Sequence, residues 1–291
     1  MFRGAITALV TPLRDGEVDR KGLRELVELQ IQQGIDGLVP CGSTGEAATL
    51  SREEQALVIR TTVEQARKRV PVIAGAGSNS TRTAIELSAM AADAGADGLL
   101  HVTPYYNKPA QSGLLAHFRA VAEAAQLPVL LYNVPGRTGC DLLPDTVARA
   151  AQLPRVVGIK EATGSLARGQ AVIAACPRDF VVLSGDDATC LALTLMGGAG
   201  VISVVSNLVP AAIAKMIAAA RAGQVEPSRA LHYQHQGLMD LLFVESNPVP
   251  VKAALSLMGI GANEVRPPLQ PLAGDKLEAL RAELKRHGLV Q

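Results

Sequence analysis

Short apolar runs rich in β-branched residues recur along the chain, each followed by a loop of small or polar residues and then by a stretch with helical spacing. The runs are GAITALVTP from Gly4, GLVPCGST from Gly37, VPVIAGAG from Val70 and GLLHVTP from Gly98, then PVLLYNVP from Pro128, VVGIKEAT from Val156, FVVLSGDD from Phe180 and GVISVVSN from Gly200. They are near-continuous in hydrophobicity, the pattern of parallel strands covered on both faces. Between them, Leu23, Leu26, Val27, Gln30 and Ile31 share one helical face, and Ser51-Arg52-Glu53-Glu54 opens the next helix as a capping box. Thr81 to Ala94 and Ser112 to Ala125 repeat the spacing, and a helix from Pro210 to Ala222 has proline in its first turn and Gly223 at its end. Eight βα units predict an α/β fold, a (β/α)8 TIM barrel rather than an open doubly wound sheet. Three more helical patterns follow without a linker: Ser228 to Leu242, Val249 to Met258 and Asp275 to His287. They divide the chain into a catalytic barrel over 1–225 and a C-terminal helical extension over 226–291, packed as part of the same chain.

Composition narrows the function classes. The 291 residues are 48% hydrophobic, with 28 basic against 27 acidic side chains. That balance provides no drive toward nucleic acid or anionic lipid, and so apolar a chain is not disordered. Cys41, Cys140, Cys176 and Cys190 lie far apart with no C-x-x-C pair, which points to reduced thiols in a cytoplasmic protein. The N-terminal run behind Met1-Phe2-Arg3 contains Pro12 and lacks a small-residue cleavage site, so it does not read as an export signal. The uncharged stretch from Ala188 to Ala214 is broken by Gly197-Gly198, Gly200, Ser206-Asn207 and Pro210, so it does not read as a membrane span.

In such barrels chemistry sits at the C-terminal strand ends. Lys160 ends the apolar run VVGIK. Taking an ammonium out of water favours the neutral amine, which can attack a carbonyl; the other reading is a lysine paired with Glu161. Three of the four tyrosines, Tyr105, Tyr106 and Tyr132, stand at the ends of the fourth and fifth runs, where they either pack as core or relay protons for a Schiff base. Ser43 and Thr44 in GSTGE offer hydroxyls and backbone N–H groups to a carboxylate, or simply make a turn. Arg137 in GRTG suits bidentate carboxylate recognition, or is a solvated surface cation. GAGSNS lacks the third glycine of a dinucleotide loop, and Asp186-Asp187 lack partners for a metal. His232-x-x-His235 reads as a solvated helix face.

Taken together, GSTGEAATL, VTPYYNKP, YNVPGRTGCDLLP, GIKEATG, SGDDAT and FVESNPVPVK resemble the signatures of the dihydrodipicolinate synthase family, and the likeness runs from Phe2 to Leu289. The resemblance implies a Schiff-base lyase on a (β/α)8 barrel, a homotetramer built as a dimer of dimers, needing neither metal nor organic cofactor. It makes Lys160 the imine-forming lysine and Tyr132 the proton donor and acceptor. Ser43 and Tyr106 complete the hydroxyl relay, with Tyr106 lent by the neighbouring subunit. Thr44 would hold the pyruvate carboxylate and Arg137 the carboxylate of L-aspartate 4-semialdehyde, with the backbones of Gly185 and Ile202 lining the pocket. The implied reaction joins these two substrates into 4-hydroxy-tetrahydrodipicolinate on the route to diaminopimelate and lysine. One departure favours a runner-up, a lyase of the same superfamily acting on a sugar-derived 2-keto acid: Gly42-Ser43-Thr44-Gly45 stands where synthases usually have Gly-Thr-Thr-Gly, and the Ser-Thr form is common in N-acetylneuraminate lyases. Arg137 points back to the synthase, because the sialic-acid lyases are apolar or small there.

The resemblance also locates a regulatory cleft. Asn79 and Tyr105 match members inhibited by lysine, whereas Ala47, Arg52, Gln55 and Thr83 stand where those members tend to hold Ser, two His and Glu. Losing the Glu removes the counter-ion for the ligand's ammonium. The expected behaviour is insensitivity, or weak sensitivity, to millimolar lysine; a steady-state titration checks it, and half-inhibition well below a millimolar overturns it.

Overall fold

All eight apolar runs form strands: β1 (Gly4–Ala8), β2 (Gly37–Val39), β3 (Ile73–Gly75), β4 (Gly98–Val102), β5 (Val129–Asn133), β6 (Val156–Glu161), β7 (Val181–Ser184) and β8 (Gly200–Ser203). The structure, a computed structural model, describes residues 2–291; Met1, the first residue of the run weighed as an export signal, lies outside the described residues. Except for Val102 and Val157, every strand residue is buried, which is why the runs show no alternation. Each strand pairs in parallel with its neighbours, and β1 pairs with both β2 and β8. The gap between β2 and β3 closes at a parallel bridge of Leu38 with Val72, where Leu38 N–H donates to Pro71 O at 3.0 Å and Gly75 N–H to Pro40 O at 2.9 Å. The sheet is thereby a barrel. Gly75 permits that closure, since a Cβ on it would lie 1.9 Å from Cys41 O.

The helices follow their sequence signals. Ser51 accepts from Glu54 N–H while the Glu54 carboxylate accepts from Ser51 N–H at 2.7 Å, so the capping box forms at the head of Arg52–Ala66. The next two helices are Thr81–Asp93 and Gln111–Ala124, and Pro210–Arg221 is followed by Gly223 with φ 74°. Three helices complete the chain: Val225–Leu241, Val249–Leu257 and Gly274–Arg286. The uncharged stretch after Ala188 resolves into helix Cys190–Leu195, β8, a turn of 3-10 helix and the start of Pro210–Arg221. Among the described residues no helix is long and apolar enough to cross a membrane.

Two features differ from the sequence expectation. A small antiparallel ribbon, Leu13–Arg14 with Glu17–Val18, turns at Asp15-Gly16, both with positive φ; its two-residue strands are too short to leave a periodic trace. His235 is not on a solvated face. It is buried, its Nδ1 lies 2.8 Å from Leu231 O, and its ring stacks on His287 with centroids 5.1 Å apart, because the last helix packs on the first of the three C-terminal ones.

A second pair of histidines lies between the barrel wall and its helices. His101 of β4 is fully buried with Nε2 3.1 Å from Ser88 Oγ, and His117 Nδ1 is 2.9 Å from Thr81 Oγ1. Burial pushes His101 down to about 3 and His117 down to about 4. The unfolded chain takes up these protons as the pH falls through about 6.5, whereas the folded chain refuses them until far lower, so stability is present above about 6.5 and is lost toward pH 4. Melting temperature is therefore expected to fall across that window, and His101→Leu to shallow the fall; an acid limb unchanged by His101→Leu would contradict the assignment.

Candidate active site

Lys160 stands in register with Tyr132 of β5 and Leu183 of β7. It is only 6% exposed, and its Nζ lies 4.4 Å from the centroid of the Tyr132 ring. Neighbouring residues on a strand point to opposite faces, so Glu161 is turned away. Its carboxylate accepts from Asn133 Nδ2 at 3.1 Å and from Thr163 N–H at 2.7 Å. Pairing with Glu161 is thus excluded, and Lys160 makes no ion pair with a described residue. Gly185 clears room for the lysine stem, because a Cβ there would lie 2.8 Å from Lys160 Cε. Ile202 is buried on β8 opposite Ile6.

Tyr132 also borders a cavity of about 550 Å³ at the strand ends, together with Ser43, Arg137, Tyr105 and Asn247. Ser43 belongs to a tight loop in which Gly45 N–H donates to Gly42 O at 3.1 Å and Glu46 N–H to Ser43 O at 3.2 Å. Beside Ser43, Thr44 is buried, and its Oγ1 accepts from Asn247 Nδ2 at 2.9 Å. Arg137 lies on the four-residue helix Pro135–Thr138 after β5 and donates through Nη2 to Asn247 O at 3.0 Å. Cys41 borders the cavity as well, buried, and burial pushes its thiol up.

The loop is held from outside the barrel. Glu46 is buried with φ 55°, its carboxylate binds the buried Lys252 ammonium, and it accepts from Arg266 N–H at 2.9 Å. Burial pushes the Lys252 ammonium down while Glu46 pulls it up. Asn247 and Lys252 lie in the signature FVESNPVPVK, but the sequence assigns neither a role at the site. The signal for Lys252 is the same as for Lys160, a lone charge in an apolar run, VPVKAALSL.

Of the site residues expected from the sequence, Ser43, Tyr132 and Arg137 border this cavity; Lys160, Thr44, Gly185 and Ile202 are not in its lining, and neither is Tyr106. It is 89% exposed with φ 72°, while the adjacent Tyr105 borders the cavity. Ala47, Arg52, Gln55 and Thr83 border the same cavity, whereas Asn79 uses its carbonyl to accept from Asn107 Nδ2 at 2.9 Å. Arg52 is not a free cation, since it pairs with Glu86 at 2.6 Å. Asp186 and Asp187 hold backbone: Asp186 accepts from Thr189 N–H at 2.9 Å, and Asp187 from Val204 N–H at 2.8 Å. Burial pushes the Asp187 carboxyl up.

A (β/α)8 barrel with a buried lysine, without an ion-pair partner among the described residues and lying against a tyrosine of the neighbouring strand, fits the class of Schiff-base-forming lyases. The family model for the dihydrodipicolinate synthetase family matches residues 1–287, and the chain belongs to that family. Among curated relatives, 4-hydroxy-tetrahydrodipicolinate synthase of Maridesulfovibrio salexigens is 57% identical over 290 residues, 99% of each chain. The synthase of Syntrophus aciditrophicus is 52% identical over 290 residues, 100% of each. Among solved structures, the chloride-inhibited dihydrodipicolinate synthase of Acinetobacter baumannii complexed with pyruvate has TM-score 0.98 at 50% identity, covering 100% of both chains. The enzyme of Cyanidioschyzon merolae with lysine bound has TM-score 0.95 at 41% identity, covering 99% of both.

The clamp on the loop has a measurable consequence. Lys252→Ala strands a buried carboxylate, which costs about 3–5 kcal/mol. The urea midpoint should drop accordingly, and Lys252→Met combined with Glu46→Gln should recover part of the loss; a single variant as stable as the wild type contradicts this.

Proposed function

We propose that the chain condenses pyruvate with L-aspartate 4-semialdehyde to give 4-hydroxy-tetrahydrodipicolinate, in the diaminopimelate and lysine route. The observation that carries this reading is Lys160, buried, without a carboxylate partner and lying against Tyr132. The relatives named above support it. The Lys160 amine adds to the pyruvate ketone and water leaves, giving a protonated imine that is itself the electron sink. Loss of a methyl proton forms the enamine, whose carbon attacks the aldehyde carbon while the aldehyde oxygen takes up a proton. The amine of the second substrate then adds to the imine carbon, expels the Lys160 amine and closes the ring.

In this reading Tyr132 moves the protons, passing them through Ser43 to Tyr106 of a second copy. The exposure of Tyr106 fits a side chain that completes a neighbour's site, within a homotetramer arranged as a dimer of dimers. Thr44 holds the pyruvate carboxylate, the backbones of Gly185 and Ile202 line its pocket, and Arg137 holds the semialdehyde carboxylate. Residues 1–225 act as the catalytic barrel and 226–291 as its extension, in a cytoplasmic enzyme. Arg137 at the cavity disfavours a sugar-derived 2-keto acid, which presents no carboxylate at that point. The cleft lined by Ala47, Arg52, Gln55, Thr83 and Tyr105, with Asn79 beside it, is a degenerate lysine site, and Arg52 already pairs with Glu86.

Borohydride reduction in the presence of pyruvate should add a pyruvate-derived mass to Lys160 and to no other lysine, and Lys160→Ala should abolish it; an adduct elsewhere overturns the mechanism. Arg137→Ala should preserve that adduct yet weaken semialdehyde binding by about 1.5–3 kcal/mol, the worth of a hydrogen bond to a charged group. An unchanged semialdehyde KM refutes the role of Arg137.

A further inference from the structure

Resting on the pyruvate-lyase reading above, we propose that Asn247, carried by the C-terminal extension and not by the barrel, is a positioning residue that aims the Thr44 hydroxyl proton at the pyruvate carboxylate.

A threonine hydroxyl has one proton to donate and two lone pairs with which to accept, and a carboxylate only accepts. A hydroxyl therefore serves a carboxylate only if its proton is not already committed. Thr44 is buried, and among the described residues its one side-chain hydrogen bond is as an acceptor, from Asn247 Nδ2 at 2.9 Å. An amide NH₂ has no lone pair to offer, so this contact occupies an acceptor site of Thr44 and leaves the proton free. The amide has that orientation although its own Oδ1, on a side chain only 5% exposed, has no partner among the described residues. Of the buried polar atoms without partners, Asn247 Oδ1 is the one that belongs to a residue bordering the cavity, among the described residues.

The position of Asn247 is itself determined. Five residues on, Lys252 is tied to Glu46 in the same loop that carries Thr44, and the helix Val249–Leu257 that carries Lys252 is buried from Val249 to Leu255. The main-chain carbonyl of Asn247 accepts from Arg137 at 3.0 Å. One residue thus touches both carboxylate-binding side chains, Thr44 through its side chain and Arg137 through its backbone. A substitution removes the first contact and keeps the second, so the effect should fall on pyruvate and spare the semialdehyde.

The experiment measures the pyruvate concentration giving half-maximal borohydride-trapped adduct on Lys160, and separately the semialdehyde KM at saturating pyruvate. Asn247→Ala should raise the first about tenfold, as expected for a weakened hydrogen bond to a charged group, and change the second less than about twofold, since the carbonyl to Arg137 is retained. Asn247→Asp, equal in size, should raise it further, because its carboxylate accepts the Thr44 proton and sets a negative charge beside an anionic substrate. Thr44→Val should match Asn247→Ala, and the double variant should be no worse than Thr44→Val alone. Half-saturation within twofold of the wild type in Asn247→Asp or in a folded Asn247→Ala, or effects that add to those of Thr44→Val, overturns the role of Asn247. Absence of any pyruvate adduct in the wild type instead overturns the lyase reading, and this inference with it.

Discussion

The site depends on a charge pair removed from water. Two ions buried without other partners are unfavourable, and they persist only where geometry and further hydrogen bonds offset their desolvation. Glu46 meets that condition by binding Lys252 and the Arg266 N–H together. Because Glu46 is also the last residue of GSTGE, the pair fixes the loop that presents Ser43 and Thr44. The barrel supplies strand ends; the segment after it supplies the counter-charge that keeps one loop from relaxing. Arg266 carries the same link outward, pairing with Glu54 and bonding to Gly16 O at 2.7 Å, so the helix Arg52–Ala66 and the Asp15-Gly16 turn join the clamp.

Much of the barrel was legible because its cause is local. A strand buried on both faces must be apolar throughout, so eight such runs announce eight strands wherever they pair. Lys160 was legible for the converse reason, as a charge that the run VVGIK has no local reason to contain. Its choice between Glu161 and a free amine was not legible, because it turns on which face of β6 each residue occupies relative to β5 and β7. Asn247 escaped for a different reason. Its partner Thr44 is 203 residues away, and nothing in an Asn-Pro turn specifies a contact at that distance. The burial of His235 is invisible from its own helix, because it comes from His287 at the end of the last helix.

Adjacent residues can also have opposite fates. Tyr105 borders the cavity and Tyr106 stands in solvent, separated by one peptide and by the positive φ of Tyr106. A bulky residue in that left-handed conformation is strained, and here the backbone is held by Tyr106 N–H donating to Thr138 O at 3.2 Å. The cleft near Arg52 shows a related point about charge. Nothing next to Arg52 in the chain announces its partner, yet Glu86 on the following helix engages it.

Cys41 adds a chemical constraint of its own. The residue borders the cavity beside the loop, yet it is buried, its Sγ lies 3.7 Å from Gln55 O, and burial pushes its thiol up. Only the thiolate is strongly nucleophilic. A reactive thiolate at this spot would capture an aldehyde as a hemithioacetal and would invite alkylation or sulfenic-acid formation. A buried thiol that keeps its proton does not compete for carbonyl carbon with the Lys160 amine of the proposed reaction, and it offers oxidants little thiolate to act on.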